Sequence, residues 1–161
     1  MKTDHTPILI NLLAIAKYDH MPDYPIQFMT KGELTFKNPQ EASLAYVEAQ
    51  EDEETGLITE SNILLSVRDG KITMERTGDC SNTMVFSRGQ RFEGTYRTPY
   101  GELDMAVLTK ESSVRLGRED GALHLKYQIH LQGNYASSNE LHLEYYTEEA
   151  RNNKAKGEGV S

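Results

Sequence analysis

"NILLSVRDGKITMERT", residues 62–77, places two runs of alternating apolar and polar residues on either side of Asp69-Gly70. Successive side chains of a β-strand point to opposite faces, so period two marks a strand with one buried and one wet face. Asp-Gly suits a two-residue type I′ turn, whose central residues both need positive φ. Such a turn sets the register: Arg68 faces Lys71, Val67 faces Ile72, Leu65 faces Met74 and Ile63 faces Arg76. Arg76 is thereby predicted on the apolar face of its strand.

The same period recurs on both sides. In "ALHLKYQIHLQ", residues 122–132, Leu123, Leu125, Tyr127, Ile129 and Leu131 share one face, and His124, Lys126, Gln128, His130 and Gln132 share the other. "LHLEYY" repeats the pattern with Leu141, Leu143 and Tyr145 inward, and "GNYASS", residues 133–138, supplies turn chemistry between the two. Thr98-Pro99-Tyr100-Gly101 fits a type I turn, with Pro second and Gly fourth. Its arms pair Arg97 with Glu102 and Tyr96 with Leu103, which leaves Glu102 and Asp104 on the solvated face. Further strands are expected at Ile8–Ala16, Ile26–Phe36, Ala42–Ala49, Met84–Ser87 and Ser112–Leu116, and a short capping helix within Lys17–Tyr24. About ten short, closely spaced strands indicate a sandwich or barrel rather than a βαβ fold.

The 161 residues fit one domain, and at that length a chain buries roughly 70% of its unfolded surface. A net charge of −8 argues against nucleic acid and against an anionic membrane surface as partners. The lone Cys80 forbids an internal disulfide, which fits a reducing, cytoplasmic setting, and Asp79 beside it disfavours a reactive thiolate. The apolar run near the N-terminus lacks a basic leader and is far shorter than a membrane span. The acidic run Glu48, Glu51, Asp52, Glu53 and Glu54 reads as an exposed loop, without the ligand alternation and central glycine of a calcium loop. Residues 149–161 read as a flexible tail after a barrel domain of residues 1–148.

The order and spacing of Met84-x-Phe86, Tyr96-x-Thr98-x-Tyr100-Gly101-x-Leu103 and Leu125-x-Tyr127, with Arg76-x-Gly78 before them, resemble the YwiB-like family of uncharacterised bacterial proteins. The likeness runs from about Ile8 to Tyr146. It implies a calycin-like, lipocalin-type antiparallel β-barrel of about eight to ten strands, and it implies no activity. The acidic run and the C-terminal extension depart from the family pattern, and the absence of Trp removes the floor residue of true lipocalins.

Four residues are candidates for lining a ligand site. An inward Arg76 could hold a ligand carboxylate or phosphate, or it could pair with an internal acid. Tyr96, Tyr127 and Tyr145 fall on apolar phases, and could offer hydroxyls to a ligand or fill the core. In one register His130 faces His142, and with Glu140 or Glu144 the two could hold zinc. Structural zinc uses four protein ligands, so no metal is expected. His124, six residues before His130, is predicted outside that pair. No nucleophile, acid-base or phosphate-binding motif is present, so no catalytic residue and no cofactor is expected. The first reading is a non-enzymatic barrel that binds a small apolar or acidic molecule. The alternative is a filled barrel acting as a protein-interaction module or homodimer, and an enzyme ranks last.

Overall fold

The computed structural model describes residues 4–18, 20–51 and 54–150. Ten antiparallel strands roll into one nearly closed barrel: β1 (Asp4–Lys17), β2 (Tyr24–Asn38), β3 (Glu41–Glu51), β4 (Ile58–Arg68), β5 (Lys71–Gly78), β6 (Asn82–Phe86), β7 (Arg91–Thr98), β8 (Gly101–Arg115), β9 (Asp120–Leu131) and β10 (Asn134–Thr147). Each strand lies beside its neighbours in the chain, and β1 pairs with β10 from Ile8↔Thr147 to Lys17↔Ser138. Between β6 and β7 the ring meets at one bridge, where Ser81 and Arg97 exchange backbone hydrogen bonds of 3.0 and 2.8 Å. Among the described residues no helix is long and apolar enough to cross a membrane.

The inner wall follows the period-two phase. Ile10, Leu34, Leu65, Ile72, Phe86, Val107 and Leu125 are fully buried. Burying each such side chain contributes roughly 1.5–3 kcal/mol, which is what rolls the sheet onto itself. Asp69 and Gly70 take φ of 51° and 82°, and the hairpin they join has the expected register, including Ile63↔Arg76. Arg97↔Glu102 and Tyr96↔Leu103 also pair as expected, and Glu102 and Asp104 are exposed. The Thr98 hydroxyl locks that turn, accepting from the Tyr100 amide at 3.1 Å and donating to the Gly101 carbonyl at 3.0 Å.

Four local expectations are corrected. No helix forms within Lys17–Tyr24 among the described residues: β1 runs to Lys17, and β2 starts at Tyr24, after a loop that Pro22 keeps from coiling. Ser112–Leu116 is not a separate strand, because β8 continues to Arg115 through an irregularity between Thr109 and Glu111. The turn before β10 is only Gln132-Gly133, at φ of 51° and 79°, so β10 begins at Asn134. The acidic run is not all loop, since β3 extends to Glu51 (Asp52 and Glu53 lie outside the described residues). The expected tail begins as a helical turn at residues 148–150, and residues 151–161 lie outside the described part.

The connections divide the barrel into two ends. At the first, the turns are tied to one another. The Asp69 amide donates to the Gln40 carbonyl at 3.0 Å, and the Thr147 amide to the Glu119 carbonyl at 2.7 Å. The Arg118 guanidinium sits 4.9 Å over the Phe36 ring. The second end carries the β1–β2, β3–β4, β5–β6, β7–β8 and β9–β10 connections. Exposed apolar side chains rim it: Tyr18, Met21, Leu57, Ile58 and Tyr100, the last 99% exposed.

Candidate functional site at the rim end of the barrel

Arg76 lies near the rim end of β5, facing inward as the turn register requires. β3 brings Glu48 to it, because Ala42, Leu44, Tyr46 and Glu48 share one face of that strand and the first three are buried. Arg76 Nη1 donates to Glu48 Oε1 at 2.9 Å and Nη2 to Oε2 at 3.5 Å, a two-pronged pair. The two side chains are only 20% and 16% exposed. Burial works against the Arg76 charge, but the bond to Glu48 more than offsets it and holds the guanidinium above its ordinary pKa.

Three tyrosines feel this pair. Tyr46, two residues before Glu48, is 6% exposed. Burial, then the Glu48 charge, pushes its hydroxyl up. Burial drives Tyr127 up to about 12, and its ring meets Phe86 edge-on at 4.7 Å. Tyr96, from β7, is raised by burial and by Cys80 beside it. All three hydroxyls therefore stay protonated at neutral pH and can donate hydrogen bonds. Among the described residues two inward oxygens are buried with no hydrogen-bond partner: Asn82 Oδ1, on the residue opposite Arg76, and Thr109 Oγ1, opposite Tyr127, where the Thr109 backbone pairs with the β6–β7 turn of the other end. Buried polar atoms are normally satisfied by protein groups or by ordered water.

Of the four residues singled out from sequence, Arg76, Tyr96 and Tyr127 come together and Tyr145 does not. Tyr145 is at the other end, where its hydroxyl accepts from the Gly117 amide at 3.0 Å and donates to the Gly117 carbonyl at 2.7 Å. Its ring covers Gly121, where a Cβ would overlap it. Glu48, Tyr46, Asn82 and Thr109 were missed. The alternation Ala42-Leu44-Tyr46-Glu48 carries the signal for Glu48, but the acidic residues that follow outweigh it.

The histidine expectation is corrected. His142 faces His124, and the rings stack at 4.2 Å and 18°, while His130 lies opposite Tyr135. The tight Gln132-Gly133 turn and the irregularity between Tyr135 and Ser137 set this register. Among the described residues no three His, Cys, Asp or Glu side chains gather as metal ligands do.

The family described as "Domain of unknown function (DUF1934)" matches residues 13–143. The chain belongs to the DUF1934 family. Among its relatives is the uncharacterised β-barrel protein YwiB of Bacillus subtilis (strain 168), 23% identical over 126 residues, 78% of this chain and 83% of that protein. The crystal structure of the B. subtilis ywiB protein superposes with a TM-score of 0.73 at 22% identity, covering 89% of this chain and 92% of that one. The likeness shows that the two chains share the β-barrel fold, and the expected YwiB-like resemblance holds.

Proposed function

We propose that this protein is a non-enzymatic binding protein that takes a small, largely apolar molecule into the rim end of the barrel, with Arg76, Tyr96 and Tyr127 at or near the pocket. The observation that carries this reading is the part-buried Arg76–Glu48 pair, with Tyr46, Tyr96 and Tyr127 around it inside an otherwise apolar barrel. A buried ion pair is a poor way to stabilise a core, because well-packed hydrophobic residues in its place are often neutral or better. The unsatisfied Asn82 oxygen, on the residue opposite Arg76, and the apolar rim share the end at which a partly polar, mostly apolar molecule would enter.

The double variant Arg76→Leu/Glu48→Leu tests this. It should keep its melting temperature or gain stability, by up to about 4 kcal/mol, and lose binding of saturated fatty carboxylates and the matching alcohols in calorimetry. Arg76→Leu alone strands the Glu48 carboxylate and should cost roughly 3 kcal/mol. Failure of the wild type to bind any member of either series, or to retain a ligand in native mass spectrometry, would defeat the reading.

The exposed rim also favours a second reading, in which a protein partner or a second copy covers Tyr18, Met21, Leu57, Ile58 and Tyr100. Sedimentation that shows a dimer, dispersed by Met21→Lys/Leu57→Lys, would favour it over the first.

A further inference from the structure

The wall of the barrel has an open seam beside the ion pair. The β2–β3 ladder runs from Asn38↔Glu41 to Gly32↔Tyr46 and stops there. On the far sides both strands continue, β2 with β1 to Ala16↔Tyr24 and β3 with β4 to Glu51↔Ile58. Among the described residues, 25–31 of β2 and 47–51 of β3 therefore have no ladder between them. On the outer face a groove of about 590 Å³ starts at Lys31 and Val47 of the seam and runs over the laddered strands past Glu33, Leu64, Glu75 and Thr77. The last rung is tightly packed: a Cβ at Gly32 would come within 2.7 Å of both the Ala45 carbonyl and Ile10 Cδ1. The ladder is thus held hard up to Tyr46 and released immediately after it.

Glu48 sits on the released segment, two residues beyond the last rung. A backbone held by hydrogen bonds on one side only opens at lower free energy than one held on both. The inward fork of Arg76 is already matched to a carboxylate, the one Glu48 supplies. The planar guanidinium prefers two-pronged oxygen acceptors, so another carboxylate fits the same atoms. We propose that Glu48 is a built-in stand-in for the ligand: a ligand carboxylate replaces it on Arg76, and the open seam lets residues 47–51 carry Glu48 outward, away from Arg76. This rests on the binding role given above and adds the ligand's head group and the gate that admits it. No bond is made or broken; one ion pair is exchanged for another.

The test compares saturated fatty carboxylates, from butyrate to decanoate, with the matching alcohols by calorimetry. Glu48→Gln removes the internal competitor at constant shape. Carboxylate affinity should rise at least about tenfold, because a charge close to a guanidinium in a desolvated site is worth more than a kcal/mol. Alcohol affinity should change by less than about twofold, the scale of an uncharged contact. Adding Arg76→Gln should bring the carboxylate down to the level of the alcohol. In the wild type, carboxylate but not alcohol should speed amide hydrogen exchange over residues 47–51.

Unchanged or weaker carboxylate binding by Glu48→Gln, with alcohol binding intact, overturns the exchange of partners and leaves the binding role standing. Unaltered exchange over 47–51 with carboxylate bound overturns the gate. If neither series binds wild type or Glu48→Gln, the binding role falls and the exchange with it. Should the Arg76→Gln combination fail to fold, the Glu48→Gln comparison decides alone.

Discussion

The two ends of the barrel are built to opposite specifications from one repeating pattern. At one end backbone ties join neighbouring turns, Arg118 lies over Phe36, and the Tyr145 hydroxyl makes two hydrogen bonds to Gly117. At the other, Arg76 and Glu48 face each other inside the wall, the buried Asn82 Oδ1 has no hydrogen-bond partner among the described residues, and apolar side chains stand in solvent. Even there, Gln132 ties its turn to β8 by donating to the Asp104 carbonyl at 2.9 Å, so the rim end is held in place. The difference lies in what the inner wall carries. One end closes on satisfied polar groups, and the other carries a charged pair and exposed apolar side chains.

The contrast breaks most visibly if a tight contact at the stitched end proves soft. Gly121→Ala drives a Cβ into the Tyr145 ring and should cost about 2–3 kcal/mol, a fall of roughly 5–10 °C in melting temperature. Calorimetry that shows no fall would mean that end is loosely packed.

Alkaline titration sharpens the comparison. Tyr127 holds its proton up to about 12 in the fold, against an ordinary 10.0. A raised pKa means that its stabilising contribution is complete below pH 10.0 and is lost as pH climbs through about 12. Tyr46 is shifted in the same direction. Tyrosinate absorbance from Tyr46 and Tyr127 should therefore appear late, together with loss of circular dichroism. Ionisation of every tyrosine before unfolding would show that the interior of the rim end is wet.

The smallest effect belongs to the polar turn face. Glu102→Gln and Tyr100→Ala should each move stability by no more than about 0.5 kcal/mol, since Tyr100 is 99% exposed and the Arg97–Glu102 pair lies in solvent. A larger change, measured by urea unfolding, would give the rim a structural role.

The strands and the inward Arg76 could be read directly from the chain. Period two survives in single sequences, and a two-residue Asp-Gly turn leaves one register open. Glu48 could not be read as a partner. Its place on β3 follows the alternation, but local charge density argued for a loop, and it takes the β3–β4 register together with the β4–β5 register to set Glu48 across β4 from Arg76. The histidine register failed for a different reason. Gln132 adopts a positive φ without being Gly, Asn or Asp, so nothing in its chemistry announced the tight turn. Tyr145 was correctly placed inward, but phase cannot say at which end of a closed wall an inward residue does its work.

Ring order repeats chain order, so every ladder but one joins strands that are made one after the other. The exception is β1 with β10, which spans nearly the whole length of the chain. During synthesis each hairpin can zip as it emerges, while the free flank of β1, from Ile8 to Lys17, waits with its amides and carbonyls bare until residues 134–147 have been made. A bare strand flank is a template for mispairing with other chains. β10 is thus the strand that covers the waiting flank of β1 and removes it as a template.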